Sequence, residues 1–140
     1  MGTSGLLLWL NLPRCLKEAQ PEYQIYKPNQ LGRRSFPGGR AIVVAGEGSP
    51  VYTTTPLDLV DISMTSGEHY RGRLPEGYST FIYVLDGMLG VEGWGVEPHQ
   101  AAVMRPGMDL DARAGEDTSF VIVSGKRIGE PIRLLDGRVE

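Results

Sequence analysis

Few side chains in this sequence are equipped for chemistry, and their spacing sets what they can do together. There are two histidines, His69 and His99, and one cysteine, Cys15. Neither histidine has an imidazole, thiolate or carboxylate partner at metal-ligand spacing, so each is read as a solvated or locally hydrogen-bonded ring. Glu68 adjoins His69, but neighbours on a strand point to opposite faces, which makes a poor acid–base dyad. Asp109, Asp111, Glu116 and Asp117 form an acidic cluster. Because Asp109 and Asp111 alternate with Leu110 and Ala112, a solvated strand face is the plain reading and a weak cation site the alternative. Gly87, Gly90 and Gly93 lead into another strand with no helix N-terminus to receive a phosphate, so they are turn glycines. No Ser-His-Asp or Cys-His arrangement can be argued.

The elements that would position these groups are short strands. Residues 67–87 hold the clearest one, at 80–85, apolar or β-branched throughout and closing at Asp86-Gly87, a favoured hairpin dipeptide. Val60, Ile62 and Met64 share one face while Asp61 and Ser63 take the other, which describes a half-buried strand. Further strands are expected at 40–45, 88–96, 101–104, 108–112 and 118–124, separated by Gly- and Pro-rich turns. Upstream, 6–12 reads as a strand ended by Pro13, 14–20 as room for one helical turn, 21–26 as a weak edge strand and 27–39 as a loop. With 19 glycines and 10 prolines among 140 residues, the pattern is that of a single all-β domain, an antiparallel sandwich or barrel.

Charge excludes some partners. A net charge of −3 with acids and bases interspersed gives no footprint for nucleic acid or an anionic membrane. The run Leu6-Leu7-Leu8-Trp9-Leu10 lacks a basic flank and falls far short of the roughly 20 residues of a membrane span. A lone Cys15 cannot close an internal disulfide and implies a reducing compartment, so a cytoplasmic protein with a structural free thiol is expected.

The spacing of residues 67–110 resembles the two motifs of cupins, small antiparallel β-barrels of jelly-roll type. Gly67 and Gly87 bracket the first motif, and Arg105-Pro106-Gly107 is similar to the Pro-x-Gly turn of the second. On that frame the two histidine positions of the first motif hold Arg73 and Pro75, its glutamate position Thr80 (Ser79 in the shorter spacing), and the histidine position of the second motif Leu110. His99 stands where the second motif begins with glycine. Arginine keeps its proton, and proline and leucine have no side-chain donor, so the resemblance implies a cupin without metal or other cofactor. If Arg73 points into the barrel as the frame implies, it needs a partner. Either it pairs with Glu76 or Glu68, or it lines a pocket for a small anionic or aromatic ligand, with Pro75, Thr80, Leu110, Tyr70, Tyr78 and Trp94 as candidate neighbours. A dioxygenase using unorthodox ligands such as His69, His99 or Glu76 is the catalytic alternative.

A closer resemblance covers nearly the whole chain. Leu8-Trp9-Leu10-Asn11-Leu12-Pro13, Pro21-Glu22-Tyr23-Gln24, Leu74-Pro75-Glu76-Gly77, Tyr83-Val84-Leu85-Asp86-Gly87 and Gly129-Glu130-Pro131-Ile132 are similar in order and spacing to the C-terminal cupin domain of pirins. Pirins are two-cupin proteins whose N-terminal domain holds iron and, in some members, a quercetinase-like activity, while the C-terminal domain generally lacks the ligands. This sequence itself holds no N-terminal cupin, so the resemblance implies a binding or protein-interaction module without catalysis of its own. It also implies surface left open by the missing cupin. A homodimer is therefore expected, with the segment 6–13 exchanged between subunits.

Overall fold

In the computed structural model, which describes residues 2–139, the strands assemble into two facing antiparallel sheets. The chain runs through β1 (Gly32–Phe36), β2 (Gly39–Ala45), β3 (Leu57–Met64), β4 (His69–Arg73), β5 (Tyr78–Asp86), β6 (Leu89–Val91), β7 (Trp94–Val96), β8 (Ala101–Met104), β9 (Asp109–Ala114) and β10 (Thr118–Lys126). A small terminal hairpin, β11 (Leu134–Leu135) and β12 (Arg138–Val139), follows. One sheet has the order β1-β2-β3-β10-β5-β8 and the other β4-β9-β6-β7. Among the described residues no helix is long and apolar enough to cross a membrane.

Period-two patterning decides which side chains meet between the sheets. Ile62, Ile82, Val84, Phe120 and Ile122 come from the larger sheet, and Leu89, Val91, Leu110, Ala112 and Ala114 from the smaller, forming one apolar core. Register makes the fit specific: Ile122 lies opposite both Ile82 and Val60, and Phe120 opposite both Val84 and Ile62. A one-residue slip would turn each of these outward. Phe120 is completely enclosed, and burying a side chain of that size contributes about 1.5–3 kcal/mol.

β10 is buried almost end to end on both faces because it is central in its sheet and something also covers the outside. Part of that cover is the N-terminal segment. Leu8, Trp9 and Leu10 share the wall of a cleft with Leu57, Phe81 and Val123 on the outer face of the large sheet. Residues 6–12 are therefore not a strand. They are an irregular arm with no ladder partner among the described residues, sharing a cleft with the outer face of the large sheet instead of pairing along its edge. Residues 21–26 likewise form no strand; the Gln24 side chain instead makes two hydrogen bonds to the Tyr52 backbone. The turn expected within 14–20 is a short 3-10 turn at Arg14–Leu16.

Three other expectations change. The stretch 27–39 is only partly loop: a 3-10 turn at Pro28–Gln30 leads into β1, and Pro37-Gly38 is a tight link to β2, with Gly38 at a φ of 74°. Turn residues that read as an open loop thus serve a two-residue hairpin. Asp86-Gly87 is not a hairpin, because β5 and β6 lie in different sheets; it is the corner where the chain crosses between them. Gly87 has a φ of 90°, and a Cβ there would run into the Asp117 carbonyl and Thr118. Finally, 88–96 is two strands, β6 and β7, joined at Glu92-Gly93 with φ of 49° and 80°. Positive φ at both central residues is the geometry that matches the right-handed twist of a hairpin.

Candidate functional site

The cupin frame brings its key positions to β4, β5 and β9. β4 pairs with β9 so that Tyr70 lies opposite Ala112 and Gly72 opposite Leu110. Tyr70 packs on the core, its ring meeting Phe36 and Phe120 edge-on at centroid distances of 5.4 and 6.4 Å, and Leu74 joins the core two residues past Gly72. The other parity, His69, Arg71 and Arg73, therefore points away from the core.

Arg73 does not enter the barrel. Its side chain is 67% exposed, and its Nη2 donates to Glu76 Oε1 at 3.5 Å, also at the surface. Of the alternatives open to it, the structure has the ion pair with Glu76. Pro75 is half-buried, as is Tyr78. Leu110 and Thr80 are each about 2% exposed and do face inward. Thr80 Oγ1 and Ser124 Oγ hydrogen-bond at 2.8 Å across β5 and β10. Trp94 lies on β7, at the far edge of the smaller sheet from β4, and is 78% exposed. The candidate neighbours thus do not converge on one pocket, and Arg73 is separated from Leu110 and Thr80 by the sheet itself.

The motif glycines behave as the frame implies. Gly67 and Gly107 have φ of 86° and 70°. The Gly67 N–H donates to the Ala114 carbonyl at 2.8 Å, tying the entry of β4 to the end of β9. The exposed Glu76 side chain lies over Gly107 and would have to move to admit a Cβ there, and Pro106 sits in the turn between β8 and β9. His99, at the frame's other glycine position, has a φ of 68°. The backbone turn is thus retained with a side chain on it.

A cupin metal needs imidazole nitrogens and a carboxylate converging from inside the barrel. The inward positions here offer alkyl groups and a hydroxyl already bonded to another hydroxyl, so the residues present do not fit such a metal. Among the described residues no three His, Cys, Asp or Glu side chains gather where they could hold an ion. The two histidines are at the surface and occupied elsewhere. His69 Nδ1 lies 2.6 Å from Asp111 Oδ1, and Arg71 Nε donates to Asp111 Oδ2 at 3.3 Å. His99 Nδ1 lies 3.3 Å from the Tyr83 hydroxyl. The hydrogen bond from His69, with Arg71 adding to it, holds the Asp111 carboxyl below its ordinary value of 3.8. No spacing near His69 points to this His69–Asp111–Arg71 cluster, because Asp111 lies 42 residues away on the paired strand. The signal was the alternation of charged residues at 69, 71 and 73, facing a second alternation at 109, 111 and 113.

Clefts open on the surface, three of them of note. One of about 710 Å³ lies between the terminal segments, lined by Trp9, Leu12, Lys17, Ile132 and Val139. The second, about 480 Å³, is the one beneath the N-terminal arm. The third, about 310 Å³, lies between the edge strands β7 and β8, where Trp94, Val103, Met104, Arg105 and Met108 meet. Of the residues expected in a pocket, only Trp94 lines one of these three.

Comparison with known proteins places this architecture. A protein named Pirin from Rattus norvegicus is 32% identical over 138 residues, covering 91% of this chain and 47% of its own length. Pirin-1 from Arabidopsis thaliana is 33% identical over 141 residues, covering 92% and 49%. The crystal structure of a quercetin 2,3-dioxygenase from Acinetobacter baumannii superposes with a TM-score of 0.85 at 28% identity, over 94% of this chain and 48% of that one. The chain thus spans about half the length of the relatives it matches. The family model for the pirin C-terminal cupin domain matches residues 59–135; with that match across the two-sheet core, the chain belongs to the pirin C-terminal cupin domain family.

Proposed function

We propose that this chain is a metal-independent cupin acting as a binding or protein-interaction module without catalysis of its own. The observation that carries the reading is the chemistry of the inward positions, Leu74, Thr80 and Leu110, none of which offers an imidazole or carboxylate. His69 and His99 are engaged at the surface with Asp111 and Tyr83. Elemental analysis of purified protein tests it: stoichiometric iron, nickel, manganese or zinc would overturn the reading.

A second reading is favoured by the likeness to a quercetin 2,3-dioxygenase: a metal-dependent dioxygenase with unusual ligands. It requires His69, His99 or Glu76 to approach one another. Oxygen uptake with quercetin after addition of ferrous iron, nickel or manganese separates the two; turnover abolished by His69→Ala would establish the second.

The interaction role has its own support. Trp9, at 88% exposed, together with Leu7, Ile132 and Leu134, presents apolar side chains on the terminal segments, more than an isolated surface residue accounts for. We propose that a second copy of the chain covers them through residues 6–13, giving a homodimer in the cytoplasm, where the free, exposed Cys15 stays reduced. Light scattering that gives a monomer at micromolar concentration would sink the dimer.

A further inference from the structure

We propose that the cleft between β7 and β8 binds a small planar aromatic carboxylate, an inference that rests on the metal-independent binding role and gives it a place and a ligand class. The two sheets do not close here. β7 is the edge of the smaller sheet and β8 the edge of the larger, with no ladder between them. The gap is about 310 Å³, at the small end of the range for ligand sites. Its floor is apolar and buried, made by Val91, Val96 and Met104. Met108 also lines it, and the unbranched methionines Met104 and Met108 can adapt to the outline of a guest.

The rim supplies the specificity. Trp94 on one lip is 78% exposed and Val103 on the other 86% exposed, so a flat ring sliding between them buries apolar surface on both sides and stacks on the indole. Arg105, at the end of β8, reaches across the mouth to Glu92 in the β6–β7 turn. A single nitrogen, Nη2, contacts both carboxylate oxygens at 3.2 and 3.3 Å. Both guanidinium edges that offer two parallel N–H bonds, Nε/Nη2 and Nη1/Nη2, include Nη2, so a second carboxylate seats in this way by drawing Nη2 away from Glu92.

Glu92 is itself informative. Its φ of 49° belongs to a turn position where Asn, Asp or Gly is usual. A longer side chain there reaches Arg105 and holds its guanidinium over the cleft. Both partners are largely exposed, and such pairs contribute little, so an incoming carboxylate displaces Glu92 at small cost. The site thus has an apolar slot, an aromatic wall and one oriented cation. That is the recognition chemistry of a ring bearing a single carboxylate.

Calorimetric titration of the full chain with 2-naphthoate, and with the uncharged 2-naphthamide, tests the assignment. Naphthoate is expected to bind once per chain. Arg105→Gln is expected to weaken naphthoate by about tenfold or more and to leave naphthamide within about twofold, while Trp94→Ala weakens both. Glu92→Gln frees the guanidinium and tightens naphthoate. These residues are at the surface, so the variants fold, as their melting curves will show. No naphthoate binding to the wild-type chain, or binding that Arg105→Gln and Trp94→Ala both leave unchanged, overturns the proposal. Repeating the titrations in EDTA keeps the two readings apart. Binding that survives both chelation and Trp94→Ala removes the cleft alone; binding that chelation abolishes and Trp94→Ala leaves intact removes the cleft and the metal-independent role together.

Discussion

The hydrogen bond between Thr80 and Ser124 offers a direct measure of what this barrel's interior is for. Thr80 stands where the cupin frame has its carboxylate ligand, but its hydroxyl is 2.8 Å from Ser124 Oγ and both side chains are about 2% exposed. Thr80→Val keeps the shape and removes the hydroxyl, stranding Ser124 in a place water does not reach. A buried hydroxyl without a partner costs about 1–3 kcal/mol. Ser124→Ala strands Thr80 in the same way, at a similar cost. Replacing both removes two polar groups together and is expected to be close to neutral. The double variant should therefore be more stable than either single one by about 1–3 kcal/mol, which is a coupling of about 2–6 kcal/mol. With a urea slope of about 1–3 kcal/mol/M for a domain of this size, each single change lowers the midpoint by about 1 M and the pair restores it. Equilibrium urea unfolding followed by far-ultraviolet circular dichroism reads all four proteins. If the effects of the single changes add in the double variant to within about 0.5 kcal/mol, the two hydroxyls do not depend on each other and the reasoning is wrong.

Other changes bear on the fold and on the residues the cupin frame singles out. Phe120→Ala empties the middle of the core and should cost about 3–5 kcal/mol, enough to bring the thermal transition near room temperature in a marginal domain. Gly87→Ala must adopt a φ of 90° and push a methyl group into the Asp117 carbonyl; a loss greater than about 1 kcal/mol is expected in chemical denaturation. Arg73→Gln removes only an exposed pair with Glu76 and should shift stability by less than about 1 kcal/mol. A large loss would mean that Arg73 has a role inside the barrel. Asp111 should titrate below 3.8 by carboxyl carbon NMR, and His69→Ala should raise its midpoint toward that value. Because the folded pKa is the lower one, the stabilisation is present above the unfolded value near 3.8 and is lost as pH falls through the folded pKa.

What the sequence determined by itself was most of the strands between residues 40 and 124 and which side chains stand at the cupin ligand positions. Alternation at 60, 62 and 64 and at 108–112, the apolar run at 80–85 and the turn glycines at 67, 87 and 107 specify strands and corners through local physics, period two and positive φ. The absence of ligands was equally local, because arginine, proline and leucine lack metal-binding donors wherever they point. What only the tertiary structure decided was direction and partnership. Motif spacing placed Arg73 at a ligand position, but its face is set by the pairing of β4 with β9, which puts Tyr70 and Leu74 on the core and turns Arg73 to solvent. His69 finds Asp111 42 residues away, a distance no local pattern spans. The apolar arm at 6–12 had the composition of a strand, and it is irregular because a strand needs a ladder partner and this chain gives it a sheet face instead. Trp94 lies on β7 and Arg105 just past the end of β8, at the edges of different sheets, and only the gap left where those sheets fail to close brings them to one cleft.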